Sequence, residues 1–125
     1  MTEKSKTTET WEAHIKEVTV APYDFEVCWD HETCVALGAT GSCMEDTGKI
    51  YIDPDNAVDV VLESLLHEVM HAVWGQTYLD KEFPDGEPDS DGEKMIRTLS
   101  PRIYAFLKDN PHYTKAISAL GEGKE

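Results

Sequence analysis

Uninterrupted apolar runs are missing from this sequence. The segment richest in apolar residues, Ala57 to Trp74, is broken by Asp59, Glu63, His67, Glu68 and His71, so it does not read as a membrane span. Cysteine is scarce, and three thiols are an odd number that cannot complete a disulfide framework within one chain. Basic residues are few as well. Eleven Lys and Arg stand against 25 Asp and Glu, a formal net charge of −14 with a pI near 4.6. Nucleic acid and anionic membranes would be repelled by such a surface. The stretch Met1–Thr10 is polar and has no apolar core of the secretory-signal kind. These absences point to a soluble, cytoplasmic protein with neither nucleic acid nor membrane as a direct partner.

What is present suffices for one folded domain. At 125 residues, 40% of them hydrophobic, the chain can build one core but not two. Residues 1–10 have nothing to bury and are expected to form a disordered tail, leaving 11–125 as the domain. Tyr23-Asp24-Phe25-Glu26-Val27-Cys28-Trp29 alternates apolar and polar side chains, the period of a half-buried strand, and Pro22 sets it off from an earlier element around Ile15–Val20. A loop rich in Gly38, Gly41 and Ser42 follows. Gly48-Lys49-Ile50-Tyr51-Ile52-Asp53 is a second strand behind the turn Asp46-Thr47-Gly48, so Ser42–Asp53 is expected to be a hairpin.

Asp53-Pro54-Asp55-Asn56 offers capping side chains for a helix over Ala57–Trp74, with Gly75 as its C-cap. At about 100° per residue, Val58, Leu62, Leu65, Val69 and Val73 share one stripe and the two histidines lie nearly opposite. The helix should therefore cover a sheet with one face and line a cleft with the other. Tyr78–Gly92, dense in Asp, Glu, Pro and Gly, reads as a loop that could act as a lid. A further helix is expected from Glu93 to Lys108, with Ile96, Leu99, Ile103, Phe106 and Leu107 inward. Ser100-Pro101 should kink it or start a new one, and Asn110-Pro111 should stop it.

Chemistry concentrates in His67-Glu68-Val69-Met70-His71. Helical residues four apart project from one face about 6 Å from each other, close enough for two imidazoles to share one ion. Glu68, turned about 100° from His67, cannot easily join them as a ligand but can act as base toward the water that a metal activates. This is the His-Glu-x-x-His arrangement of two zinc ligands and a general base. A catalytic zinc usually takes a third protein ligand and keeps one open position. Glu93 is the leading candidate because it shares the inward face of the next helix with Ile96, Ser100 and Ile103. Asp89, Asp91 and His112 remain alternatives.

With the strand Gly48–Asp53, the helix carrying Leu65-Leu66-His67-Glu68-Val69-Met70-His71-Ala72-Val73-Trp74, and Glu93 opening a helix that ends Asp109-Asn110-Pro111, the chain resembles the small phage-encoded zincin-like metallopeptidases of gluzincin type. It is similar in outline to the ImmA/IrrE and SprT-like groups. The likeness covers roughly residues 40–111 and leaves the first forty unmatched. It implies an α+β, minimal zincin-like fold, with a short mixed or antiparallel sheet packed on the active-site helix and a second, C-terminal helix. It also implies zinc held by His67, His71 and Glu93, Glu68 as the catalytic residue, and a protein or peptide substrate. A phage origin would place the protein in the host cytoplasm. Neither a zinc ribbon nor a DNA-binding part is visible.

The expected activity is therefore zinc-dependent hydrolysis of a peptide bond. The alternative is a catalytically silent binding module that docks on a host or phage protein, although a purely structural metal site has no need of Glu68. Tyr78, Tyr104, Arg97 and His112 are available as oxyanion donors, and Arg97 could instead pair with Glu93. Cys28, His31, Cys34 and Cys43 contain enough soft ligands for a second, structural metal, but in no standard spacing. Asp85, Asp89 and Asp91 lack the order of a calcium loop. Trp11, Trp29 and Trp74 are expected in the core.

Overall fold

Phe25, Val27 and Trp29 are the buried members of strand β2 (Tyr23–Trp29), each at most 5% exposed, so the period-two pattern marks its core side. The structure is a computed structural model and describes residues 6–121. Before β2 come helix α1 (Lys6–His14) and strand β1 (Glu17–Val20). The expected tail over residues 1–10 is thus corrected from Lys6 onward, where the chain is helical and Thr8 is buried; residues 1–5 lie outside those described. Trp11 of α1 stacks on Trp29 at 5.2 Å between ring centroids, which gives this short helix something to bury.

β1 pairs antiparallel with β2, and β2 pairs parallel with β4 (Lys49–Ile52). A parallel pair needs a crossover, supplied here by helix α2 (His31–Leu37) and strand β3 (Gly41–Met44). β3 then turns back antiparallel on β4, as the hairpin pattern predicts. The sheet is mixed, in the order β1-β2-β4-β3, with β3 at one edge.

α2 is absent from the sequence reading. Asp30 caps it, accepting the Thr33 amide at 3.0 Å and the Thr33 hydroxyl at 2.7 Å, and Gly38 ends it in the left-handed region at φ 70°.

Helix α3 (Val58–Gly75) lies across β3 and β4. Its caps differ from expectation. Ala57 occupies the N-cap position without a side-chain bond, because Asp53 already accepts the Asp55 amide and faces His31. Gly75 is the last helical residue, and Gln76 follows it as the cap. Val61, Leu65 and Ala72 are buried against the sheet, joined by the partly buried Val69 and Val73, while Val58 is exposed.

A short helix α4 (Leu79–Glu82) interrupts the expected loop. Helix α5 (Asp91–Asp109) packs along α3 and runs through Pro101 without a break; Ile96 is buried, whereas Leu99 and Phe106 are exposed. Asn110-Pro111 does stop it, and helix α6 (Pro111–Gly121) follows. The architecture is α+β, with α3 packed on one small sheet and α5 packed along α3. Among the described residues no helix is long and apolar enough to cross a membrane.

Candidate metal centre

The 18-residue helix α3 brings His67 and His71 onto one face, with ring centroids 5.1 Å apart. Glu93 enters from the first turn of α5, where the Ser90 side chain caps the helix by accepting the Glu93 amide at 3.4 Å. Glu93 Oε1 lies 3.0 Å from His67 Nε2 and 3.1 Å from His71 Nε2. One donor atom from each of the three residues falls within 4.8 Å of the other two. Of the candidate third ligands, the structure brings Glu93 to the histidines; Asp89, Asp91 and His112 are exposed and belong to no such group.

The outer nitrogens of both rings are occupied. His71 Nδ1 sits 2.7 Å from Asp85 Oδ2. His67 Nδ1 sits 3.4 Å from Ser100 Oγ, whose own proton goes to the Ile96 carbonyl at 2.8 Å, leaving the oxygen to accept. If each Nδ1–H is donated outward, as a ring that binds a metal through Nε2 requires, each Nε2 presents a lone pair inward.

In that tautomer two imidazole lone pairs and a carboxylate oxygen converge on one point and repel each other unless a cation stands between them; without one, a proton on Nε2 bonds Glu93 Oε1 instead. Glu93 Oε2 is meanwhile buried without a hydrogen-bond partner. Ligands at about 2.0–2.1 Å around a tetrahedral zinc lie roughly 3.4 Å from one another. The donor set and its spacing fit such an ion.

Glu68 is only 7% exposed. Its side chain makes no hydrogen bond among the described residues. It lies between two openings along the edge strand β3. The larger, about 370 Å³, is bounded by Ser42, Glu45, His71 and Asp85; the smaller, about 160 Å³, by Thr40, Glu63 and His67. Burial pushes its carboxyl up to about 7 against the opposing pull of His71, and the charge of Glu93 adds to the rise. Burial pulls His71 down, but its hydrogen bonds to the carboxylates of Asp85 and Glu93 and the charge of Glu68 outweigh it and leave a net rise.

Several expected contributors sit elsewhere. Arg97 Nη2 donates to the Pro88 carbonyl at 2.7 Å rather than pairing with Glu93. The Tyr104 hydroxyl donates to Asp59, which Lys108 also holds. Tyr78 is 81% exposed, and His112 is exposed on α6. None of the four lines the two openings.

The cysteines and His31 do not converge. Cys34 is buried and points its thiol at the Thr40 carbonyl, and all three thiols are free. Burial raises Cys43 to about 12 and Cys34 to about 11, with neighbouring carboxylates adding to both. His31 faces the buried Asp53 at 2.9 Å and Asp55 at 3.6 Å instead, an ion pair when the ring is charged. The aspartates of the 85–91 loop form no group of their own; Asp85 turns to His71.

Asp85 and Ser100 are the two site residues that sequence reasoning missed in these roles. Ser100 had a usable signal, because it stands two turns after Glu93 on the same face of α5. Asp85 had none beyond its place in an acidic loop. Comparison with protein-family models, with curated proteins and with solved structures finds no match for this chain.

Proposed function

We propose that this chain is a zinc-dependent metallopeptidase, cytoplasmic, with His67, His71 and Glu93 as metal ligands and Glu68 as general base on a protein or peptide substrate. The observation that carries the reading is the placing of Glu93 Oε1 at 3.0 and 3.1 Å from the two Nε2 atoms. Glu68 is buried beside that point.

Zinc, when bound there, supplies Lewis acidity toward a water molecule and a substrate carbonyl. Glu68 accepts the proton from the attacking water and can pass it to the leaving amine. The edge position of β3 supports an extended peptide as substrate, since its outer backbone groups can pair with an added strand beside Glu68. The charge of −14 weighs against nucleic acid in that place.

Elemental analysis of the purified protein together with a peptide-library digest tests this. One zinc per chain is expected in both the wild type and Glu68→Gln, with cleavage lost by a factor of about 10²–10⁴ in the variant. Zinc bound without cleavage by the wild type would favour the silent binding module. No metal in either protein would sink the site assignment.

A further inference from the structure

Phe83 to Asp91 is held in place from two sides. Trp74, at the end of α3 and 4% exposed, donates its indole N–H to the Phe83 carbonyl at 3.0 Å. Gly92, buried in the first turn of α5, donates its amide to the Pro84 carbonyl at 2.8 Å. The approach at Gly92 is so close that a Cβ there would stand 2.1 Å from the Phe83 carbonyl oxygen and 2.7 Å from that of Pro84. Both obstacles are backbone, which cannot swing aside. The residue immediately after this double fastening is Asp85, whose side chain is 12% exposed and 2.7 Å from His71 Nδ1.

We infer that Asp85 is a positioning residue of the metal centre, and that the segment fastened by Trp74 and Gly92 is a fixed buttress delivering it to His71 rather than a lid. The inference rests on His71 being a metal ligand, as proposed above. An imidazole free in solution can rotate and can place its proton on either nitrogen. A carboxylate fixed against Nδ1 removes both freedoms, because it draws the Nδ1 proton and leaves Nε2 aimed at the ion. His67 has only the weaker 3.4 Å contact to the neutral Ser100 hydroxyl, so Asp85 gives His71 the firmer outer contact of the two rings.

Two readouts test this without any substrate. In the metal-free protein, at a pH where His71 is neutral, nitrogen NMR of the ring should show a larger Nδ1–H population in the wild type than in Asp85→Ala, where Glu93 Oε1 at 3.1 Å is left to hold the proton on Nε2. A role confined to holding the loop would leave the tautomer unchanged. Zinc affinity, from competition with a chromogenic chelator, should fall about 10–100-fold in Asp85→Ala, with Asp85→Asn in between because it keeps an acceptor but not the charge.

Gly92→Ala should weaken zinc binding in both backgrounds, because the backbone shift it forces moves the Asp85 segment and also the neighbouring ligand Glu93. Unchanged affinity and tautomer in Asp85→Ala would overturn the inference. A wild type that binds no zinc while its His71 tautomer still follows Asp85 would overturn the metal reading, and with it the role of Asp85 at a metal centre, leaving only its hold on the ring. Zinc binding that depends on Asp85 without any peptide cleavage would overturn only the hydrolase.

Discussion

Glu68 occupies a position that few carboxylates tolerate, buried on a helix with Glu93 close by and no hydrogen bond to its side chain among the described residues. In the metal-free protein its carboxyl rises from 4.5 to about 7, chiefly through burial. The folded chain therefore keeps a proton that the unfolded chain gives up between those two values. Unfolding releases that proton, so stability from this group falls as pH rises through the window. The change corresponds to about 3 kcal/mol when fully developed. Glu68→Gln, with a neutral side chain of the same shape, lacks this slope. The metal-free variant should be more stable than the metal-free wild type at pH 8, and the two should converge near pH 4.5. Urea titrations at the two pH values measure this, and a constant difference between them would contradict the buried, proton-retaining Glu68.

At the scale of elements, α2 shows how a seven-residue helix can rest on one cap. Asp30 accepts both the amide and the hydroxyl of Thr33, and these bonds hold its carboxyl below the usual range. Asp30→Ala should cost about 1 kcal/mol at neutral pH, read as a lower urea midpoint. Because the folded carboxyl is depressed, its charge-dependent part is present above the unfolded value of 3.8 and is lost as pH falls through the folded one. The difference between variant and wild type should therefore shrink in acid. Asp30-x-x-Thr33 was a readable start signal, but the glycines that follow masked a helix too short to display a full apolar stripe.

The strands and α3 were legible because periodicity over seven or eighteen residues is hard to produce by chance. Cap positions were not, since Asp53 could serve the helix or its own neighbours and only packing decides. The site divides in the same way. His67, Glu68 and His71 are visible because helical spacing alone aligns them, and Glu93 because an inward carboxylate on a polar-faced helix needs a reason. Asp85 depends on how a loop is fastened by Trp74 and Gly92. Such long-range placement leaves no local trace.

For the molecule as a whole, the three donors come from two elements, α3 and α5, so an ion held by all three would clasp the helix layer together. Anything bound to the folded state alone adds stability that grows with its concentration, about 2.7 kcal/mol at a hundred times the dissociation constant. In a domain of this size that corresponds to a rise in Tm on the order of 10 °C. Zinc should raise Tm by that order, EDTA should reverse it, and His67→Ala should abolish the response. A surface of −14 would also attract divalent ions loosely, so the comparison needs a control. Magnesium at equal concentration prefers oxygen donors in octahedral array and should not reproduce the shift at a site with two imidazoles. Moderate sodium chloride should remove only the diffuse component, which is screened over about 10 Å. An equal response to zinc and magnesium, unaffected by His67→Ala, would mean that bulk charge and not the His67–His71–Glu93 centre governs the effect.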